Sequence, residues 1–205
     1  MNAEKCLQIL REMKDVAFAT VENGLPQTRI IDVMLSQGEK LYFCTARGKD
    51  FYHQLITDGN VAVTVTGMNK KYQMIRLSGR AKKLENNKEW IDRIFDANPS
   101  MNEIYPNDSR YILEAFVIDN GQAEFFDLGV KPICRQYFSL GEETTKKKGF
   151  FISDKCIGCG KCKRLCPQQC IKSGKPYVIQ QEHCLHCGLC AETCPVNSIR
   201  KGENL

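Results

Sequence analysis

The chain opens on an amphipathic pattern. Asn2 stands at a helix N-cap position, and Cys6, Ile9, Leu10 and Met13 recur at helical spacing, which predicts a helix through about Lys14. From Val16 the period changes to two. Val16 to Val21 reads as a strand, Asn23-Gly24 as a hairpin turn, Gln27 to Leu35 as the returning strand, and Lys40 to Thr45 as a third strand after a turn at Gln37-Gly38. A short helix over Asp50 to Ile56 stops at Asp58-Gly59. Then come a β-branched strand at Val61 to Thr66, a longer alternating strand at Lys71 to Leu84, and a helix over Asn87 to Asp96 that ends before Asn98-Pro99. Tyr111 to Ile118 and Gln122 to Leu128 read as two final strands around an Asn120-Gly121 turn. Six or seven strands with short turns and only small helices predict a mainly β domain, closed as an antiparallel barrel.

Beyond Leu128 the pattern is lost. Gly129, Pro132, Gly141 and the run Glu142-Glu-Thr-Thr-Lys-Lys-Lys-Gly149 read as a linker over 129–150, in which only Ile133 to Phe138 is apolar enough to add a strand. A different order begins at Lys155 and runs to Ile199, where one pattern is written twice. Cys156-x2-Cys159-x2-Cys162-x3-Cys166-Pro167 is followed by Cys184-x2-Cys187-x2-Cys190-x3-Cys194-Pro195. This is the iron–sulfur run in which three closely spaced thiolates hold one four-iron cluster and the fourth reaches the other. Pro167 and Pro195 turn the chain away from the first three ligands, consistent with that crossing. Cys156, Cys159, Cys162 and Cys194 are therefore expected on one [4Fe–4S] cluster, and Cys184, Cys187, Cys190 and Cys166 on the other. Gly158, Gly160 and Gly188 lie in these loops, where a Cβ would crowd the backbone against inorganic sulfide. Cys170 aligns with Ser198 of the second run and is not counted as a ligand. The block resembles the two-cluster bacterial ferredoxins, which implies a small α+β domain over 151–205.

Cysteine usage fits that reading. Nine of the twelve cysteines fall in the last fifty residues, leaving only Cys6, Cys44 and Cys134 elsewhere. Zinc sites use other spacings, and a disulfide framework needs an oxidising compartment. The polar N-terminus does not read as a signal peptide, and no apolar run approaches a membrane span, so a cytoplasmic protein without membrane contact is expected. Residues 1–130 carry 16 Lys and Arg against 18 Asp and Glu, whereas residues 131–205 carry 13 against 6. Cluster thiolates offset much of the basic excess, so docking on an acidic protein surface is expected before nucleic-acid binding. No G-x-G-x-x-G follows a strand, and no Ser-His-Asp or H-E-x-x-H arrangement occurs. His53 reads as a surface histidine. No catalytic side chain stands out.

The first 128 residues carry a second resemblance. Pro26-Gln-Thr-Arg29-Ile-Ile-Asp-Val33, Leu41-Tyr-Phe-Cys-Thr45-Ala-Arg47-Gly-Lys49 with its short helix, the Val61–Thr66 strand and Ile75-Arg-Leu-Ser-Gly79-Arg-Ala follow in the order of the pyridoxamine 5′-phosphate oxidase-like, FMN-binding split-barrel proteins. The resemblance implies a split barrel over 1–128 that pairs as a homodimer with FMN in a groove at the interface. It also implies that Arg47 and Lys49, helped by Thr45, bind the FMN phosphate. Arg29, Ile30, Ile31 and Asp32 would offer backbone hydrogen bonds to the flavin edge, and Tyr72 and Gln73 a further contact. The two halves together are expected to form an oxidoreductase that takes electrons from a low-potential donor protein, through two [4Fe–4S] clusters, to FMN and a small-molecule acceptor. The alternatives are a non-enzymatic carrier that relays electrons to a partner protein, and a flavin-free barrel that serves as a scaffold.

Overall fold

A computed structural model describes residues 1–66, 72–143 and 148–202. The chain divides into two compact units, Met1–Phe125 with Tyr137–Thr144, and Phe126–Gln136 with Thr145–Leu205. The span 129–150, read above as a linker, contains a strand at Cys134–Leu140. Lys71, which opens a predicted strand, and Lys146 and Lys147 of the basic run lie outside the described residues.

Unit 1 begins with helix α1 (Ala3–Met13), capped by Asn2, whose Oδ1 accepts the Lys5 N–H at 2.8 Å. Its buried face is Ala3, Cys6, Leu7 and Leu10. Strands β1 (Asp15–Glu22) and β2 (Leu25–Asp32) form the predicted hairpin, with both turn residues, Asn23 and Gly24, at positive φ. The returning strand stops short of Leu35. Val33 N–H bonds to Lys14 O and Met34 N–H to Tyr42 O, each at 2.9 Å, so the chain changes partners here. It resumes as β3 (Leu35–Gln37), paired with β4 (Lys40–Ala46). Helix α2 (Asp50–Thr57), β5 (Asn60–Thr66), β6 (Gln73–Lys83) and α3 (Asn87–Ala97) follow as expected in kind. A short α4 (Met101–Ile104) and a 3₁₀ turn at Asn107–Ile112 were not foreseen.

The sheet runs β2-β1-β5-β6-β7-β4-β3, where β7 is Leu113–Asp127, and β8 (Cys134–Leu140) pairs with β7 beside this path. Its terminal strands, β2 and β3, are not paired with each other, so the closed barrel expected from strand count is corrected to an open, split one. Phe18, Phe43 and Phe116 fill the centre, with ring centroids 4.9 Å and 5.5 Å apart along that row. A second cluster packs Ile91, Ile94 and Phe95 of α3 on Met34, Leu113 and Ala115.

The Asn120-Gly121 turn also needs correction. No turn forms: β7 passes through both residues as one strand of 15. A Cβ at Gly121 would meet Ser78 O and lie 2.7 Å from Gly79 Cα, and one at Gly79 would strike Asn120 O. The dipeptide marks a close approach of two backbones, and φ of 155° at Gly121 suits glycine alone.

Unit 2 repeats one theme twice. Strand β9 (Phe150–Ile152), the first cysteine run with α5 (Lys161–Leu165) and β10 (Ile171–Lys172) are followed by β11 (Val178–Ile179), the second run with α6 (Leu189–Glu192) and β12 (Ile199–Lys201). Pairing is nested and joins the two halves, β9 with β12 and β10 with β11. Among the described residues no helix is long and apolar enough to cross a membrane.

The β6–β7 approach is testable. Gly79→Ala is expected to destabilise unit 1 by about 1–3 kcal/mol through overpacking against backbone. Gly48→Ala, where an added Cβ meets nothing within 4 Å, should stay within about 0.5 kcal/mol. Urea midpoints of the two full-length variants check this.

Candidate functional site

The cysteine runs surround two cavities. One is lined by Cys156, Cys159, Cys162 and Cys194, with Tyr177 and Ser198 beside them. The other is lined by Cys184, Cys187, Cys190 and Cys166, with Phe150 and Cys170. These are the two quartets expected from spacing, fourth cysteines exchanged. Each quartet stands around a body of space, and among the described residues no three potential ligands converge on a single-ion point. Four thiols held apart, rather than converging on one ion, suit a four-iron cube, each of whose irons takes one thiolate.

Local structure explains the placement. Gly160 and Gly188, at φ of 72° and 85°, precede α5 and α6, so each helix starts straight after a left-handed residue that lets the third cysteine turn inward. An added Cβ would sit 3.1 Å from the Tyr177 hydroxyl at Gly160 and 3.3 Å from the Phe150 ring at Gly188. At Gly158, φ is 74° and a Cβ would meet no protein atom; its counterpart His186 keeps a side chain at φ 57°, so both runs hold positive φ here.

Hydrogen bonds reach the sulfurs themselves. The His186 N–H donates to Cys184 Sγ and the Ser198 N–H to Cys194 Sγ, each at 3.3 Å. The Ser198 hydroxyl lies 3.2 Å from Cys194 Sγ, and Cys170 Sγ lies 3.6 Å from Cys166 Sγ. Contact with the Cys170 thiol is the main cause that brings Cys184 down to about 6; burial opposes it, and the His186 N–H and the Arg135 charge assist. Burial raises Cys194, but the Ser198 hydroxyl and the backbone N–H groups of Val196, Asn197 and Ser198 outweigh it and leave that thiol lowered. Arg135, almost fully buried, donates Nε–H to Cys184 O at 3.2 Å and lies 3.9 Å over the Phe126 ring. Motif reading had no means of finding it.

In unit 1 the residues offered for a flavin divide into two groups. Thr45, at the end of β4, is buried, and its Oγ1 has no hydrogen-bond partner among the described residues. It sits across from Glu114 in the β4–β7 register. Arg47 donates from Nη1 to Tyr111 O at 2.8 Å and Glu114 Oε1 at 3.0 Å, while Lys83 Nζ lies 3.6 Å from Glu114 Oε2. Thus Nη1 holds Arg47 in place, and its Nε and Nη2 edge makes no bond among the described residues. Lys49 stands exposed at the N-cap of α2. An orphaned hydroxyl beside a held guanidinium edge and an exposed ammonium fits an anionic oxygen group. Lys83 also lines an open groove of about 450 Å³ with Tyr52, Ile56, Arg80 and Phe116. Glu114 and Lys83 carried no motif, and Arg80, although it lies in the Ile75–Ala81 stretch, was given no role there; cross-strand register and the groove reveal them.

The second group lies at the far end of the sheet path. Arg29 turns inward, donating to Thr20 Oγ1 at 2.6 Å and Gln54 Oε1 at 2.8 Å, with its guanidinium 4.5 Å over Phe51. Its side chain thereby ties β2 to α2. Ile30 is exposed, and Asp32 pairs with Lys14 at 3.6 Å. Because β2 is a terminal strand of the path, Arg29, Ile30, Ile31 and Asp32 have one backbone edge turned away from β1. Gln73 opens β6; Tyr72 precedes it, exposed, at φ of 133°. Within one chain the structure groups Thr45 and Arg47, with Lys49 following. None of the residues offered for a flavin, Tyr72 and Gln73 included, lines that groove.

Comparison with known proteins adds the following. Residues 3–113 match the family model described as pyridoxamine 5′-phosphate oxidase, and residues 155–198 match the 4Fe-4S dicluster domain. Among solved structures, a NimC/NimA family protein from Clostridium acetobutylicum is 26% identical, with a TM-score of 0.57 over 67% of this chain and 93% of that one. A protein from the same organism related to general stress protein 26 of B. subtilis (pyridoxinephosphate oxidase family) is 16% identical, with a TM-score of 0.52 over 66% and 95%. A heme binding protein from Mycobacterium smegmatis is 13% identical, with a TM-score of 0.52 over 68% and 58%. The last two likenesses concern the fold alone. No curated protein matches the chain.

Two predictions concern thiols. Cys187→Ala should lose iron, whereas Cys170→Ala should retain the eight atoms of a dicluster domain, as read by metal analysis of anaerobic protein. Burial pushes Cys6 up to about 11 and Cys44 up to about 12. At pH 8 only about one Cys6 thiol in a thousand is then ionised, and fewer at Cys44. Both should resist iodoacetamide in the folded chain and react in urea, as peptide mapping would show.

Proposed function

Because the chain belongs to the pyridoxamine 5′-phosphate oxidase family over residues 3–113, we propose that it is an iron–sulfur flavoprotein that reduces a small organic acceptor with electrons from a low-potential donor protein. The observation that carries the reading is that the eight cysteines divide into two quartets around two separate cavities, within the stretch matching a 4Fe-4S dicluster domain. When bound, the clusters would exchange electrons singly and a flavin would gather them in pairs.

The residues of each unit have assignable tasks in this reading. Cys156, Cys159, Cys162 and Cys194 hold one cluster, and Cys184, Cys187, Cys190 and Cys166 the other. Thr45, the free edge of Arg47 and Lys49 take the FMN phosphate, supported by the placement of an unpartnered buried hydroxyl beside a held guanidinium. Glu114 fixes Arg47 by a charge-assisted hydrogen bond and leaves its other edge for the ligand. The outward backbone edge of β2 suits a flavin ring or a second copy of the chain, in keeping with a homodimer. A nitro compound is one acceptor class that fits, since among the described residues of unit 1 no side chain is arranged as an obligatory acid or base.

The direct test is cofactor analysis of protein purified without oxygen: iron, sulfide and flavin per chain, with turnover measured against candidate acceptors. Iron and flavin with turnover support the reading. Both cofactors without turnover on small acceptors favour a carrier that passes electrons to a partner protein, and iron without flavin leaves unit 1 a scaffold. Arg47→Ala should weaken FMN binding about tenfold to a hundredfold, the worth of one charge-assisted contact, in a fluorescence titration. Light scattering should return twice the chain mass.

A further inference from the structure

The two halves of the cysteine repeat are not chemically equal at one position. Four residues after the fourth cysteine of each run stands a buried small side chain, Cys170 in the first and Ser198 in the second, each followed by a buried isoleucine, Ile171 or Ile199. Packing alone would be met by alanine at both places. Each side chain instead points a polar hydrogen at a sulfur. Ser198 Oγ lies 3.2 Å from Cys194 Sγ, with its own backbone N–H at 3.3 Å from the same atom. Cys170 Sγ lies 3.6 Å from Cys166 Sγ. A coordinating thiolate carries no proton, so Ser198 O–H and Cys170 S–H must be the donors in the loaded protein. Cys170 also reaches Cys184, but Cys166 and Cys184 belong to the same quartet, so its single proton serves one cluster either way.

Resting on the crossed ligation proposed above, we propose that Ser198 and Cys170 are paired positioning donors that set the reduction potentials of the two clusters apart. Reduction adds negative charge to the cluster and its thiolates, and a hydrogen bond to a ligand sulfur stabilises that form and raises the potential. A hydroxyl is a stronger donor than a thiol, and at 3.2 Å Ser198 makes a well-formed contact while Cys170 makes a weak one. The donor position therefore raises the potential of the cluster on Cys156, Cys159, Cys162 and Cys194 more than that of its neighbour. The chain needs no other change than one atom, oxygen for sulfur, at equivalent places in the repeat.

The experiment is an anaerobic redox titration of the full chain, followed by electron paramagnetic resonance, with iron counted in every sample. Ser198→Ala should lower one of two midpoints, with a threefold to tenfold change in that cluster's reduction equilibrium, at most about 59 mV for one electron. Ser198→Cys, which keeps the packing and copies the first run, should fall between wild type and Ser198→Ala. Cys170→Ser should raise the other midpoint and leave the first in place. Unchanged midpoints in Ser198→Ala and Cys170→Ser with full iron would overturn this inference and leave the cluster assignment standing. Wild-type protein with no iron would overturn the cluster reading and the inference with it.

Discussion

Unit 2 has almost no apolar core of its own, and everything it does follows from that. Its buried centre consists of Ile171, Ile179 and Ile199 together with Cys162, Cys170 and Cys184. A domain of this size buries too little hydrocarbon to offset the entropy of ordering its loops, so metal–thiolate bonds must supply the difference. Binding free energy then becomes folding free energy. In the proposed ligation the exchange of fourth cysteines would give this bonding its reach: Cys166 lines the second run's pocket, and Cys194 the first run's. The pairing of β9 with β12 and β10 with β11 likewise ties the first half to the second in backbone hydrogen bonds.

Unit 1 rests on a contrasting economy. Its stability comes from aromatic rings and aliphatic side chains between an open sheet and its helices, which leaves polar groups to gather at one end of β4, β7 and β6. Thr45, Arg47, Glu114 and Lys83 are assembled there by the register of β4 against β7 and the placement of β6, not by neighbours in sequence. Glu114, almost fully buried, holds two cations that would otherwise repel each other. The same carboxylate would limit how much positive charge the proposed phosphate meets, so that reading leans on the free edge of Arg47 and on Lys49 more than on net charge.

How far the chain could be read in advance depends on the distance over which each signal acts. The cysteine quartets could be read from spacing within a dozen residues, and the same cysteines line two separate pockets in the structure. The helix cap at Asn2, the Asn23-Gly24 hairpin and most strands were legible for the same local reason. Asn120-Gly121 misled because its glycine answers to Gly79, some forty residues away, and a pair that marks a tight turn also marks a close crossing. The break at Val33 and Met34 was hidden because it is a change of hydrogen-bond partner within one apolar run. The closed barrel failed at the ends of the sheet, which no local pattern encodes. Glu114 and Arg135 escaped for want of a motif, since their roles lie in cross-strand and side-chain contacts.

The central claim is that iron–sulfur and flavin halves on one chain form one electron path. A flavin positioned by Thr45, Arg47 and Lys49 would be served by cysteine-held clusters tethered to the same chain, at an effective concentration that does not fall on dilution. Anaerobic stopped flow tests this most directly: the clusters are reduced rapidly by a low-potential donor, and loss of flavin absorbance is followed at several protein concentrations. The account predicts flavin reduction through the clusters at a rate independent of protein concentration. Reduction that is second order in protein, or that never passes through the clusters, would contradict it.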